Sequence, residues 1–274
     1  MKRFVHFVIS LAFFISSCSA TPQNYVALET RAIEVMHAQL VSIQVDYGEV
    51  KILQSDDSQL HVEGQVLFPD ELDYQIHTAE KQISVDMFTH HAHSSKAPAL
   101  VIVRVPQGSQ IKLESDTASI IAQEYQGNLE VDSISGDVTL QGIVGKMILH
   151  SNRGNITVQN SLGVLSIVGN YGALTTHDVH GETAMSTIMG NIIFAGSIAE
   201  DDTVRLEADH GSVSVNLSAD SALALQVNST SGDVTCMLPD VTASTRTCDG
   251  VMHSGGGSLS VRTVSGAVTL QLIP

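Results

Sequence analysis

Eight glycines, Gly127, Gly136, Gly145, Gly154, Gly163, Gly172, Gly181 and Gly190, recur at every ninth residue without a break. That period is the one used by calcium-binding nonapeptide rolls. In such a roll, an Asp two places after the turn glycine adds its carboxylate to the oxygen shell of the ion. Here that place holds Leu129, Val138, Met147, Ile156, Leu165, Leu174 and Ile192, so the repeat points to a hydrophobic core and away from calcium. His77, His90, His91 and His93 are of the type that binds transition metals, but Thr89 to Pro98 reads as an exposed loop between strands. His177 and His180 straddle a turn, and neither group is expected to hold a metal. Glu200-Asp201-Asp202 falls where a turn is expected and is read as solvated. Acid–base work on a polysaccharide needs a close carboxylate pair, or carboxylates gathered with Arg or Lys. After residue 116 the cations are only Lys146, Arg153, Arg205, Arg246 and Arg262, scattered along the chain. No catalytic set and no cofactor are expected.

Three thiols remain. Cys236 and Cys248 are close enough in sequence for a short disulfide loop if the chain is exported to an oxidising compartment. Cys236 also lies four places after Gly232, a core-facing position where a free thiol packs as a small apolar residue. Both readings stay open. Cys18 ends an N-terminal segment that begins Met1-Lys2-Arg3 and continues through the mostly apolar Phe4–Ile15. That run is too short for a membrane span and has the form of a secretory signal. Ile15-Ser16-Ser17-Cys18 resembles the lipobox of bacterial lipoproteins. The resemblance implies a signal peptide over residues 1–17, lipidation of Cys18 and a tether over residues 18–34. Ser19 after the Cys implies the outer membrane, with the acyl chains as anchor.

Composition narrows the partners. The chain has 29 acidic and 13 basic side chains, no Trp and a formal charge of −16. Loss of Lys2 and Arg3 with the signal would deepen the charge to −18. Nucleic-acid binding needs cations against phosphates, so it is excluded as a reading. The expected partners are the membrane, through the lipid anchor, and an envelope protein or glycan.

The elements that carry these residues follow the same clock as the glycines. Leu129/Val131, Val138/Leu140, Met147/Leu149, Ile156/Val158 and Leu165/Ile167 stand two and four places after successive glycines, each pair with a non-core position between. That is the alternation of a strand with one buried face. Similarity is stronger at eighteen residues than at nine, so a coil should contain two strands. The predicted fold is all-β: a β-solenoid of stacked coils, about 18–21 residues each with two short strands. About seven coils are expected from residue 118 onward. Gaps of 21 residues at Gly190–Gly211 and Gly211–Gly232, and of 34 at Gly232–Gly266, are read as longer turns or inserted loops. Gly beside Asp or Asn, as in Ser135-Gly136-Asp137 and Gly154-Asn155, suggests turns with positive φ. Ser254–Ser258 reads as a mobile loop. In the N-terminal half, alternating runs at Gln59–Val66, Gln82–Met87 and Leu100–Val105 predict strands of the same system with wider loops. Thr30–Leu40 has a helical pattern but lies between strands, which argues against a helix.

Gly48-Glu49-Val50-Lys51-Ile52, the strand end Val103-Arg104-Val105-Pro106 and the unit Ser-Gly-Asp-Val-Thr at 135–139 and 231–235 carry a family resemblance. Ser265-Gly266-Ala267-Val268-Thr269 is an altered copy of that unit. With these motifs the chain resembles the bacterial adhesin-type β-strand-repeat lipoproteins, a domain family of unknown function with some toast-rack-like members. The resemblance covers residues 35–274 as a single solenoid domain and brings no catalytic residues. It implies a non-enzymatic, lipid-anchored envelope protein of adhesin-like or scaffolding type that presents a polar repeat surface. A polysaccharide-active enzyme on the same scaffold and a periplasmic envelope-stress component are the alternatives.

Overall fold

The computed structural model describes residues 26–35, 39–67, 72–89 and 99–273. Cys18, the signal segment and His90, His91 and His93 lie outside the described residues. Among the described residues twenty-four strands form the fold. β1 (Val26–Ala27) and β2 (Arg31–Glu34) precede a first coil of β3 (Leu40–Val45) and β4 (Glu49–Gln54). β5 (Gln59–Val66) and β6 (Leu72–Thr78) leave that path, and the chain returns through β7 (Gln82–Thr89) and β8 (Ala99–Val105). A regular stack follows: β9 (Gln110–Ser115), β10 (Ser119–Gln123), β11 (Asn128–Ser133), β12 (Val138–Gln141), β13 (Val144–Ser151) and β14 (Ile156–Gly169). It continues with β15 (Leu174–Thr187), β16 (Ile192–Gly196), β17 (Thr203–Ala208) and β18 (Val213–Ser218). Then come β19 (Leu223–Ser229), β20 (Val234–Met237), β21 (Val241–Ala243), β22 (Thr247–Met252), β23 (Gly257–Thr263) and β24 (Val268–Ile273).

Each coil gives one strand to each of two parallel faces. The first face runs β8, β4, β10, β12, the first halves of β14 and β15, β16, β18, β24 and β20. The second runs β7, β3, β9, β11, β13, the second halves of β14 and β15, β17, β23 and β19. β14 and β15 are long because they continue around the corner from one face to the other. In the regular stack the register advances by eighteen residues, as at Leu129↔Met147 and Ile156↔Leu174. Identical positions therefore lie over one another, and the core is a set of ladders. One reads Leu113–Val131–Leu149–Ile167–Met185–Leu206, and every member is buried. The all-β solenoid with two strands per coil is the fold observed, and seven coils stack from Asn128 onward.

The order of stacking departs from chain order at both ends. The coil β3–β4 lies inside β7–β8, and the last coil, β23–β24, lies between β17–β18 and β19–β20. Three of the four outermost parallel strands are then covered by antiparallel ones: β5 on β8, β6 on β7 and β22 on β19. Open sheet edges invite pairing with other chains, and such caps blunt them. The 34-residue gap is thus no single long turn; it holds the hairpin β21–β22 and a step back into the stack. The two 21-residue gaps are lengthened corners, at 197–202 and 219–222. Within Ser254–Ser258, read as a loop, Gly257 already opens β23. Arg31–Glu34 is a strand, as its strand neighbours suggested.

Candidate functional site

The glycines of the nine-residue series separate into two columns at opposite corners. At the corner leading from the second face to the first, the column is Gly136, Gly154, Gly172 and Gly190, prolonged by Gly211, Gly266 and Gly232. None of these has positive φ, contrary to the turn chemistry expected from the sequence. They are glycine because a Cβ would strike the carbonyl oxygen of the residue stacked beneath, as Gly154 would strike Gly136 O. Within the nine-residue series positive φ belongs to the other corner, where Gly127, Gly145, Gly163 and Gly181 have φ of 158°, 144°, 135° and 104°. Three residues before each stands another left-handed residue, Glu124, Gly142, Asn160 or Asp178. That second series mixes four positions with little in common but their conformation, so the sequence shows it only once the eighteen-residue register is known.

Buried hydroxyls brace the first corner. Ser115, Ser133 and Ser151 donate to the carbonyls of Ala118, Gly136 and Gly154 at 3.0, 2.9 and 3.0 Å. Thr187 and Ser229 accept from Gly190 N and Gly232 N, both at 2.9 Å. The residue after the glycine links coils: Asp137 Oδ1 accepts from Asn155 N at 2.8 Å, and Asn155 Oδ1 accepts from Ala173 N at 3.0 Å. Asp137 therefore serves the corner.

Outside this corner lies a groove of about 520 Å³. Its floor is one outward ladder of the second face, Gln44–Glu114–Asp132–His150–Val168, held in line by the strand register. Each faces out because its neighbours are core or corner positions; Glu114 stands between the buried Leu113 and Ser115. The turns add Asp46, Asp116, Ile134, Asn152 and Asn170, and Phe88 of β7 stands at one end. Glu114 accepts from Gln44 Nε2 at 3.1 Å and pairs with Lys112 at 2.6 Å. His150 Nδ1 and Asp132 Oδ1 are 2.8 Å apart, while Asn170 donates to Asn152 at 3.0 Å. Phe88, Ile134 and Val168 are 42 %, 48 % and 41 % exposed, large values for apolar side chains. The groove thus pairs carboxylates with accessible apolar surface, an arrangement suited to holding a cation with an apolar body.

The other predicted groups are dispersed. The positions two after the glycines, Leu129 through Ile192, are buried core and offer no calcium ligand. His77 lies in β6, bonded to Gln75. His177 Nδ1 is 2.9 Å from Asp178 Oδ2. Among the described residues no group of three or more His, Cys, Asp and Glu side chains is placed to hold a metal. Asp202 departs from the solvated turn expected of it. It is buried, and accepts from Gly181 N at 2.6 Å and Ala199 N at 2.8 Å, with His180 Nδ1 at 2.9 Å. Burial pushes its carboxyl up, but those hydrogen bonds outweigh it and hold the pKa below the ordinary value. Glu200 and Asp201 beside it are exposed. Cys236 and Cys248 are bonded, with Cα atoms 6.3 Å apart. The bridge ties the last strand of the first face to the strand that caps the second. Among the described residues no helix is long and apolar enough to cross a membrane.

With this geometry in place, the chain can be set beside known proteins. The model of the family described as toastrack DUF4097 matches residues 39–271. Similar solved structures include a candidate adhesin from Parabacteroides merdae ATCC 43184, 12% identical, covering 90% of this chain and 96% of that one, at TM-score 0.48. Another is a candidate adhesin from Bacteroides fragilis NCTC 9343, 10% identical over 91% and 99% of the two chains, at TM-score 0.46. A candidate cell adhesion protein from Clostridium sporogenes ATCC 15579 is 12% identical over 91% and 100%, at TM-score 0.33. No curated protein matches the chain.

Proposed function

Because the chain belongs to the toastrack DUF4097 family, and its outer faces repeat polar side chains coil after coil, we propose that it is a non-enzymatic envelope protein of adhesin-like or scaffolding type. The observation that carries the reading is the outer ladder of the first face, Thr139–Thr157–Thr175 beside Gln123–Gln141–Gln159. Stacked parallel coils set such side chains about 4.8 Å apart on a rigid surface, which suits recognition of an extended partner more than turnover of a small substrate. In this reading Cys18 carries the lipid, and residues 18–34 tether the solenoid to the outer membrane. The partner is an envelope protein or glycan. Two carboxylates of the groove are already engaged, Glu114 with Lys112 and Asp132 with His150, which favours binding over acid–base catalysis.

Palmitate labelling of cells producing the full chain or Cys18→Ala tests the anchor. Label on the first alone, with the variant lost from the membrane fraction, is the expected result; equal labelling overturns it. Protease treatment of intact cells tests the adhesin form. Cleavage of the solenoid supports it, and full protection removes it in favour of an inward-facing scaffold.

A further inference from the structure

We propose that the groove outside the first corner binds an extended segment of a partner protein, basic at one end and apolar at the other. The inference deepens the interaction reading above and rests on it. The groove has a direction. Along the stack the turn positions read Asp46, Asp116, Ile134, Asn152, Asn170 and Ile188, one per coil. The ladder beside them reads Gln44, Glu114, Asp132, His150 and Val168. Carboxylates therefore gather on the three coils nearest Phe88: Asp46 on the first, Glu114 and Asp116 on the second, Asp132 on the third. Among the described residues Lys112 pairs with Glu114 and His150 with Asp132.

Apolar side chains gather at the far end. Val168 is 41 % exposed, and beyond it Tyr171, Ile188 and Met189 are 59 %, 48 % and 56 % exposed. Water wets these side chains at a cost that burial against a partner would remove. From Asp46 to Ile188 is five coil steps, about 24 Å at the spacing of paired strands, which about seven residues of extended chain would span. The volume of about 520 Å³ and its open length suit a peptide better than a compact ligand. Charge complementarity selects the occupant: Lys or Arg against Glu114, Asp116 and Asp132, then Leu, Ile or Val against Val168 and Ile188. A polyanionic glycan would be repelled at the acidic end, and a neutral one would leave the apolar end uncovered.

The test uses the purified full-length protein and a fluorescein-labelled octapeptide of three lysines, a Ser-Gly spacer and three leucines. Fluorescence anisotropy reads binding. Binding should weaken about tenfold or more in the double variant Glu114→Gln/Asp116→Asn, and similarly between about 50 and about 500 mM salt. Ile188→Ser should weaken it with little change in salt dependence, and Thr157→Ala on the opposite face should leave it unaltered. A peptide with glutamates for lysines should not bind. Equal binding by the double variant, or by the acidic peptide, overturns the proposal, as does absence of binding to the wild type. Circular dichroism checks that each variant is folded, since all four substituted positions are at the surface. If the groove variants still retain envelope proteins captured by the wild type, the groove assignment falls while the scaffolding reading stands.

Discussion

Gly154 lies over the carbonyl of Gly136 so closely that a Cβ on Gly154 could not be accommodated without moving one coil away from the next. The same contact recurs at Gly172 on Gly154 and Gly190 on Gly172, so a single methyl is felt through a column. Gly154→Ala should lower stability by about 1–3 kcal/mol through overpacking. Thr157→Ala, on the outer face, should stay within about 0.5 kcal/mol. Denaturant midpoints at constant slope measure both; a Gly154→Ala protein as stable as the wild type would show that the coils slide apart freely.

The buried hydroxyl at the same corner makes a separable contribution. Ser151 Oγ, in a residue only 5 % exposed, donates to Gly154 O at 3.0 Å. Ser151→Ala removes the donor and leaves that carbonyl with one partner fewer, which should cost about 1 kcal/mol. Gly169 and Ala208 occupy the equivalent positions in two other coils, so the corner forms without the hydroxyl. The variant should therefore fold with unchanged circular dichroism, its loss appearing only in the denaturant midpoint. A loss of secondary structure would contradict this account.

How far the sequence led depends on what each feature repeats. Leu129, Val131, Leu149 and Ile167 announce two-strand coils because the stacking that buries them also sets their period. The order of the end coils does not repeat anything. Val204 stacks on Leu259 and not on Leu225, although either would fill the core ladder equally well. The pattern of core residues does not report that choice, nor the cap β22 that pairs with β19. The groove was hidden for a different reason. Glu114, Asp132 and His150 are eighteen apart, but no residue type recurs there, so nothing marked them as one surface until the register aligned them. Asp202 was misjudged because a three-residue acidic run looks solvated, and only the lengthened corner at 197–202 turns its last member inward.

Asp202 gives a prediction in pH. Its carboxyl is 8 % exposed and accepts from Gly181 N and Ala199 N, with His180 beside it. Hydrogen bonds to a charged group favour the ionised form, so its pKa is lower folded than unfolded. The stability it supplies is then complete above the unfolded value of about 4 and is lost as pH falls through the folded one. At neutral pH Asp202→Asn should cost about 1.5–3 kcal/mol, because an amide offers donors to groups that are themselves donors. The gap between wild type and variant should narrow steadily below about pH 4. Thermal melts across that range measure it, and a gap unchanged from neutral pH to the acid limit would mean that Asp202 is neutral in the folded protein.

The Cys236–Cys248 bond holds together two ends that the sheets themselves leave apart. β20 pairs with β24 on the first face, and β22 pairs with β19 on the second. The closed loop is short, with a sequence separation of 12, for which the chain-entropy account gives about 3 kcal/mol. Cys236→Ser/Cys248→Ser should therefore unfold at lower denaturant, and should place a polar oxygen in the fully buried site of Cys248. To separate these effects, Cys236→Ala/Cys248→Ala keeps the site apolar and removes only the link. Both variants, and the reduced wild type, should be cut faster by protease within 238–247, while the coils from Asn128 to Ser218 stay resistant. Cleavage that begins in those central coils would mean that the bond supports the whole stack and not its terminal cap.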